Sequence, residues 1–118
     1  MSSISDAKAR LKEWKSEGTL IRVVFRGTWN LRTFTFEGRI ADLTDSSFVL
    51  LMDTATLDFS FSLSRASAGA PRGDDPFVKP LLAAVRAAEV TVVEFFSEYG
   101  YLLLFPALDV LDAPKLLM

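Results

Sequence analysis

Four short runs rich in apolar residues stand close together between positions 21 and 63, and all but the third alternate between apolar and polar residues. Because successive side chains of a strand point to opposite faces, this pattern predicts four β-strands in close succession. The apolar faces of the first two strands match in only one antiparallel register, since a shift by one residue would turn every phenylalanine outward. The predicted partners are Ile21 with Gly38, Val23 with Phe36, Phe25 with Phe34 and, on the other face, Arg22 with Glu37.

Gly38 stands on the apolar face in the middle of the second predicted strand. Glycine there removes a side chain from the core, so it indicates a sharp bend or a close approach of another backbone segment. After Ile40 the apolar phase shifts to Leu43, which predicts a β-bulge near Ala41 and Asp42. We therefore expect one long, bent strand that belongs to both halves of a small barrel.

The third predicted strand, residues 48–52, is apolar throughout. Such a run predicts a strand that is covered on both faces, either by the N-terminal helix or by another subunit. A tight turn is predicted at residues 44–47, where Asp45 and Ser46 have the appropriate chemistry. The fourth strand begins at Leu57 and alternates strictly up to Ser64.

The remaining segments are predicted to cover or close this barrel. Ile4, Ala7, Leu11 and Trp14 share one face of an amphipathic N-terminal helix, which usually covers a core and sometimes recognises a partner. We treat residues 1–118 as a single domain. Its predicted segments are an N-terminal helix at 1–17, barrel strands at 19–64, a flexible loop at 65–76, a second helix at 80–89, a closing hairpin at 90–105 and an apolar tail at 106–118.

Composition narrows the chemistry available to the chain. It has no cysteine and no histidine, which excludes disulfides, thiolate nucleophiles and the commonest metal ligand. We expect no cofactor, no metal and no catalytic residue. No apolar run is long enough to span a bilayer, and the N-terminus lacks the apolar stretch of a signal peptide, so we expect a soluble cytoplasmic protein. The net charge of −2 gives no overall attraction for nucleic acid.

Two groups of residues are candidate sites. Arg26, Trp29 and Arg32 form a basic and aromatic cluster at the first hairpin, where an aromatic ring could stack on a base while the arginines contact phosphates. The alternative is a solvated loop whose tryptophan packs on the barrel rim, which the acidic overall charge favours. Four aspartates recur near turns and could bind a metal or act as paired acids, although strand ends attract aspartate anyway. They are Asp42, Asp45, Asp53 and Asp58.

Two runs resemble the Sm-like family: Phe36-Glu37-Gly38-Arg39-Ile40, and Asp45-Ser46-Ser47-Phe48-Val49-Leu50. The resemblance implies a five-stranded, SH3-like barrel and rings in which edge strands of neighbouring subunits pair. It also implies binding of single-stranded RNA, which many members carry out at the pore. Asp45 is the one residue of this sequence that matches an RNA-binding position of the family. The asparagine that reads the base and the second family motif are missing from this sequence.

The sequence therefore predicts a mostly β domain with two helices, built as a small, strongly bent antiparallel barrel of Sm-like or SH3-like type. The first functional hypothesis is a non-enzymatic structural or interaction module that forms a homo-oligomer. The second is an Sm-like ring that binds single-stranded RNA through Arg26, Trp29, Arg32 and Asp45. The third is a small-ligand or metal-dependent enzyme.

Overall fold

The computed structural model describes residues 4–27, 33–60, 65–72, 79–98 and 100–107. Within these residues the chain is mostly β with two helices, as the sequence predicted. In chain order the elements are α1 (Ile4–Glu17), β1 (Ile21–Gly27), β2 (Thr33–Leu43), β3 (Ser47–Leu51), β4 (Thr56–Ser60), β5 (Arg65–Gly69), α2 (Lys79–Ala87), β6 (Val92–Ser97) and β7 (Gly100–Pro106).

The strands form one antiparallel sheet of seven strands in the order β4-β3-β2-β1-β7-β6-β5. No ladder joins β4 to β5 in the part of the chain that the structure describes, so the sheet is not closed into a barrel. The C-terminal hairpin of β6 and β7 adds to the β1 side of the sheet. Six of the seven strands were predicted and β5 was not. The predicted closure into a barrel is not observed among the described residues, and the pairing leaves β4 and β5 at the edges.

The predicted register of the first hairpin is confirmed at every position. Phe25 lies opposite Phe34, and Val23 lies opposite Phe36. On the outer face Arg22 lies opposite Glu37, and their side chains form an ion pair of 2.6 Å. An exposed cross-strand pair of this kind stabilises a sheet by about 0.2–1 kcal/mol. The burial of the inner face, rather than this pair, therefore determines the register.

Gly38 lies where β2 changes its pairing partner, and the close approach of another backbone that was predicted for this glycine is observed. Residues before it pair with β1, and residues from Arg39 onward pair with β3. A Cβ at position 38 would overlap the carbonyl oxygen of Leu51 and lie 3.0 Å from its carbonyl carbon. The glycine therefore permits a close approach of two backbones that no other residue allows. The predicted bulge is also present, as a shift of register between Ile40 and Asp42.

The sheet is strongly curled. Phe48 on β3 stacks on Phe95 of β6, with 5.8 Å between the ring centroids. Three strands lie between β3 and β6 in the sheet, so in a flat sheet they would be about 19 Å apart. Only five peptide bonds join Ser60 on β4 to Arg65 on β5, which holds the two edges within about 18 Å of each other. The concave face therefore encloses the main core.

Helix α1 covers the opening of this concave face. Ala7, Leu11 and Trp14 are buried in a core that also contains inner side chains of β1, β2, β3, β6 and β7. The helix ends at Gly18, which has a positive φ of 64°. The N–H of Thr19 donates to the carbonyl of Trp14, and the N–H of Gly18 donates to that of Lys15. This is a Schellman termination, for which glycine is the favoured residue.

Helix α2 packs on the convex face and makes a second core. Leu81, Leu82 and Val85 contact outward-facing side chains of β1, β6 and β7. Strand β7 lies between the two cores, which explains why its residues are buried on both faces. Tyr101, Leu103 and Phe105 belong to the α2 side, whereas Leu102 and Leu104 belong to the α1 side.

The third strand was predicted to be covered on both faces, by the N-terminal helix or by another subunit. Within the single chain its outer face is not covered, since Val49 is half-buried and Leu51 is 52% exposed. The reason is that α1 packs on the inner face and α2 packs over β1, β6 and β7. The expectation that Phe34 lies in the concave core was wrong, because its side chain, near the start of β2, is 40% exposed.

The segment 65–76 was predicted to be a flexible loop because of its small residues, but its first five residues form β5. They pair with β6, and Ala66 and Ala68 pack against the main core. Small side chains suit this position because α1 approaches the sheet closely there.

The apolar tail from residue 108 onward lies outside the described residues. No helix in the described part of the chain is long and apolar enough to cross a membrane.

Candidate functional site

The candidate RNA-binding residues do not come together in the residues described. Arg26 is only 5% exposed, and its guanidinium donates to the hydroxyl of Thr33 over 3.4 Å. Asp45 lies in the turn after β2, whereas Thr33 is the first residue of that strand, so Arg26 and Asp45 lie at opposite ends of an 11-residue strand. Trp29 and Arg32 lie outside the described residues.

The recurring aspartates are spread over the surface. Asp42 accepts a hydrogen bond from the N–H of Leu43 at the bulge, over 2.9 Å. Asp58 lies opposite Val49 on the exposed outer face of β4. Among residues 4–27, 33–60, 65–72, 79–98 and 100–107, no three acidic side chains lie close enough together to hold a metal ion. The spacing of the aspartates along the sequence therefore reflects turns and strand faces that lie apart.

A groove of about 860 Å³ runs between α1 and the turn that joins β2 to β3. We call it the lysine groove, because three of the residues that line it are lysines of α1. The other wall is formed by Leu43, Thr44 and Asp45. The Lys8 ammonium donates to the backbone carbonyl of Asp45 over 2.5 Å and so joins the two walls at one point. The described lining residues are Ser5, Lys8, Ala9, Lys12, Lys15, Leu43, Thr44 and Asp45.

Thr44 gives this turn its shape. Its hydroxyl oxygen accepts hydrogen bonds from the backbone N–H groups of Ser46 and Ser47, over 3.3 and 3.1 Å. The N–H of Thr44 donates in turn to the carbonyl of Ser47, over 2.8 Å. The sequence pattern assigned this role to Asp45 and Ser46, and a threonine hydroxyl performs it instead. Asp45 is exposed in this turn and lines the groove.

A second polar group is fully buried at the edge of the sheet near β5. Glu94 has no exposed surface, although it is acidic and lies between Val93 and Phe95. One carboxylate oxygen accepts the N–H of Arg72 over 2.7 Å, and the other accepts the hydroxyl proton of Tyr101. These bonds replace the water that the carboxylate loses on burial. They also attach the chain after β5 to strands β6 and β7.

Arg86 of α2 holds the chain beside this group. Its side chain is exposed, and its guanidinium donates to the carbonyl of Pro71 over 3.0 Å, next to the residue whose N–H reaches Glu94. Ser67 lies opposite Glu94 on β5, is 5% exposed, and its hydroxyl has no partner among the described residues. We call Ser67, Glu94 and Tyr101 the buried polar group. The hydrogen bonds of Glu94 and Arg86 connect β6, β7 and α2 to the chain after β5.

The pKa of Tyr101 is raised well above its ordinary value of 10.0. Burial is the larger cause, and the hydrogen bond to Glu94 is the second. The neutral phenol is thus the form that the folded state stabilises. Because the pKa is raised in the folded state, this stabilisation is complete below about pH 10 and is lost as the pH rises further. We expect the free energy of unfolding to fall above pH 10 by up to about 1.4 kcal/mol per pH unit from this group.

Urea unfolding at a series of pH values between about 8 and 11 measures this slope. Tyr101→Phe serves as the comparison, because phenylalanine keeps the ring and removes the titrating proton. The variant is expected to show a shallower loss of stability above pH 10. Equal slopes for both proteins would show that other groups cause the alkaline loss.

Sequence reasoning missed both the lysine groove and the buried polar group. The sequence nevertheless contains one feature that points to each of them. Lys8, Lys12 and Lys15 have the spacing of neighbours on one side of a helix, and Glu94 is a lone acid in an otherwise apolar strand. What could not be read from the sequence is the position of the turn beside α1. The partners that make a buried glutamate stable come from β7 and the chain after β5.

The chain matches no protein-family model, and comparisons with curated proteins and with solved structures give no significant match.

Proposed function

We propose that the chain is a non-enzymatic interaction module that associates with further copies of itself through the edges of its sheet. The observation that carries this proposal is the edge formed by β4 together with Leu51 on the neighbouring β3. Strand β4 pairs with β3 and with no second strand among the described residues. Leu51 lies opposite Thr56 of β4 and exposes 52% of its surface.

An unpaired edge is a template for another strand, and natural proteins usually protect it. Here the same chain has a second edge strand, β5, at the other end of the sheet. Two different edges on one molecule suit a head-to-tail contact, which closes into a ring when the rotation between subunits permits it. Burial of Leu51 would then contribute about 1.5 kcal/mol per contact.

The finer hypothesis is that this curled sheet is an Sm-like, SH3-like barrel and that the assembly is a ring. It is supported by a helix that precedes β1 and by a long β2 that bends at Gly38 and pairs with a different strand on each side of the bend. The absence of histidine and cysteine from the sequence supports the non-enzymatic part of the proposal.

Light scattering coupled to size-exclusion chromatography at micromolar concentration tests the association. We expect the native chain to form a discrete oligomer and Leu51→Glu to shift it to the monomer. A glutamate at this position lies opposite Arg39, so the single subunit can accommodate the charge. At an interface the same charge would be removed from water, and this desolvation is costly even with Arg39 opposite.

Thr35→Glu is the matched control, because Thr35 is exposed on β2, where it lies opposite Val24 of β1 and far from β4. This variant is expected to keep the oligomeric state of the native chain. A native chain that elutes as a monomer would contradict the proposal, and so would dissociation of both variants to the same extent.

Binding of single-stranded RNA by an Sm-like ring is a second hypothesis. Asp45 supports this hypothesis. It is the residue that matches an RNA-binding position of the Sm-like family, and it is exposed in the turn and lines the lysine groove. The burial of Arg26 leaves that side chain little surface with which to contact a phosphate. If RNA binds, the lysine groove is therefore a better source of positive charge than the first hairpin.

A further inference from the structure

We propose that the lysine groove binds a chain of phosphate groups, such as the triphosphate of a nucleotide or a short inorganic polyphosphate. The site consists of Lys8, Lys12 and Lys15 on α1, facing the β2–β3 turn. This inference is independent of self-association, because it concerns residues of α1 and the turn rather than the β4 edge.

Helical geometry places the three lysine residues along one side of α1. Residues of an α-helix are separated by about 100° around the axis, so Lys8, Lys12 and Lys15 fall within about 60° of one another. Along the axis they span about 10 Å, at 1.5 Å per residue. The acidic residues Glu13 and Glu17 lie more than about 130° away from the middle of this stripe. The charges of α1 are thus separated into a basic side at the groove and an acidic side away from it.

Two of the lysines lack a countercharge in the residues described. Lys12 and Lys15 are exposed, and no described carboxylate forms an ion pair with either of them. Glu13, the nearest acidic residue in sequence, pairs instead with Arg10 over 2.7 Å. A chain with a net charge of −2 therefore keeps a concentrated positive stripe along one groove. Such a stripe attracts anions whose charges are spread along a line.

The dimensions and chemistry of the groove favour a compact polyphosphate over a nucleic acid. Its volume of about 860 Å³ falls within the range of about 300–1,000 Å³ that is typical of small-ligand sites. None of its described lining residues is aromatic, so it offers no platform for stacking bases. Lysine binds phosphate as a flexible point charge, whereas planar, bidentate recognition would call for arginine.

Asp45 limits the affinity of this site and supplies a test of it. Its backbone carbonyl accepts a hydrogen bond from Lys8 over 2.5 Å, and its exposed side chain adds a negative charge to a residue of the groove wall, which disfavours an anion. Asp45→Asn keeps the backbone contact and removes the negative charge. It is therefore expected to strengthen binding of a phosphate chain, whereas removal of a lysine is expected to weaken it.

Isothermal titration calorimetry of the full chain measures these effects, with inorganic tripolyphosphate as the first probe. We expect tripolyphosphate to bind at least about tenfold more tightly than orthophosphate, because it engages several lysines at once. Lys12→Gln is expected to weaken binding about fivefold, the effect of one exposed charge pair, and Asp45→Asn to strengthen it by a similar factor. Raising the salt concentration to about 0.15 M should weaken binding further.

Lys79→Gln is the matched control, since Lys79 is an exposed lysine of α2, the helix on the opposite face of the sheet. It should bind tripolyphosphate as the native chain does. ATP, a single-stranded RNA oligonucleotide and a poly-glutamate peptide are titrated in parallel. Binding of ATP as well as tripolyphosphate identifies a nucleotide as a source of the phosphate chain.

Three results would overturn the proposal: no binding of tripolyphosphate, equal binding of orthophosphate, or equal losses in Lys12→Gln and Lys79→Gln. Tighter binding of the oligonucleotide or the peptide than of either phosphate compound would also overturn it, in favour of that macromolecule. Lys15→Gln is measured as a second variant, and both variants are exposed substitutions whose thermal unfolding should match that of the native chain.

Discussion

Replacing Gly38 with alanine is expected to destabilise the folded chain by about 3 kcal/mol or more. A Cβ at this position would overlap the carbonyl oxygen of Leu51 and lie 3.2 Å from Cγ of Leu50. The first of these atoms is backbone, held in the ladder between Arg39 and Leu51, so it cannot move aside as the end of a side chain would. Relief of the overlap requires the bend of β2 to open, which separates the two halves of the sheet.

Thermal unfolding followed by circular dichroism measures the effect, which corresponds to a fall in Tm of about 10 °C. Gly18→Ala is the comparison, because position 18 has a positive φ of 64° but open space around its Cβ. That variant should lose only about 1 kcal/mol, from the strained backbone alone. If the two variants were equally stable, the close approach of the backbones at Gly38 would not be what requires glycine there.

Replacing Glu94 with alanine is expected to cost about 4 kcal/mol. The carboxylate is fully buried and accepts from both the N–H of Arg72 and the hydroxyl of Tyr101. Alanine would leave these two donors without an acceptor, and it would remove the negative charge near Arg86. It would also leave a cavity in the space of the lost side chain, which adds to the cost.

Urea unfolding measures the loss, and Glu17→Ala is the matched control. Glu17 is exposed at the end of α1, so the same change of side chain there should alter stability by less than about 0.5 kcal/mol. Hydrogen exchange supplies a local measurement, because the amide of Arg72 should exchange faster in Glu94→Ala than in the native chain. A cost below about 1 kcal/mol, with the protection of Arg72 unchanged, would contradict the assigned role of Glu94.

The two proposed surfaces lie on different parts of the sheet. The β4 edge is flanked by Leu51 near the bend of β2, whereas the lysine groove lies at the turn that begins β3. A change at one should therefore leave the other intact, and effects at separate sites of this kind usually add. If Leu51→Glu yields monomers that still bind tripolyphosphate, the two functions belong to the single subunit independently.

The sequence by itself determined the local features of this chain. Alternating apolar residues placed the strands, and the requirement to keep Phe25 and Phe36 on one face determined the register of the first hairpin. A glycine on an apolar face located the bend, and a phase shift located the bulge. These features follow from the sequence because a strand has a strict period of two residues and a helix a period of 3.6.

Only the tertiary structure decided which faces are covered and which polar groups meet. Val49 and Leu51 are as apolar as the residues of β7, but α2 packs over β7 and no described element covers the outer face of β3. Likewise, Glu94 is stable in the interior because Tyr101 and the chain after β5 supply its donors. Coverage and pairing of this kind depend on contacts between segments distant in sequence, and no local periodicity encodes them.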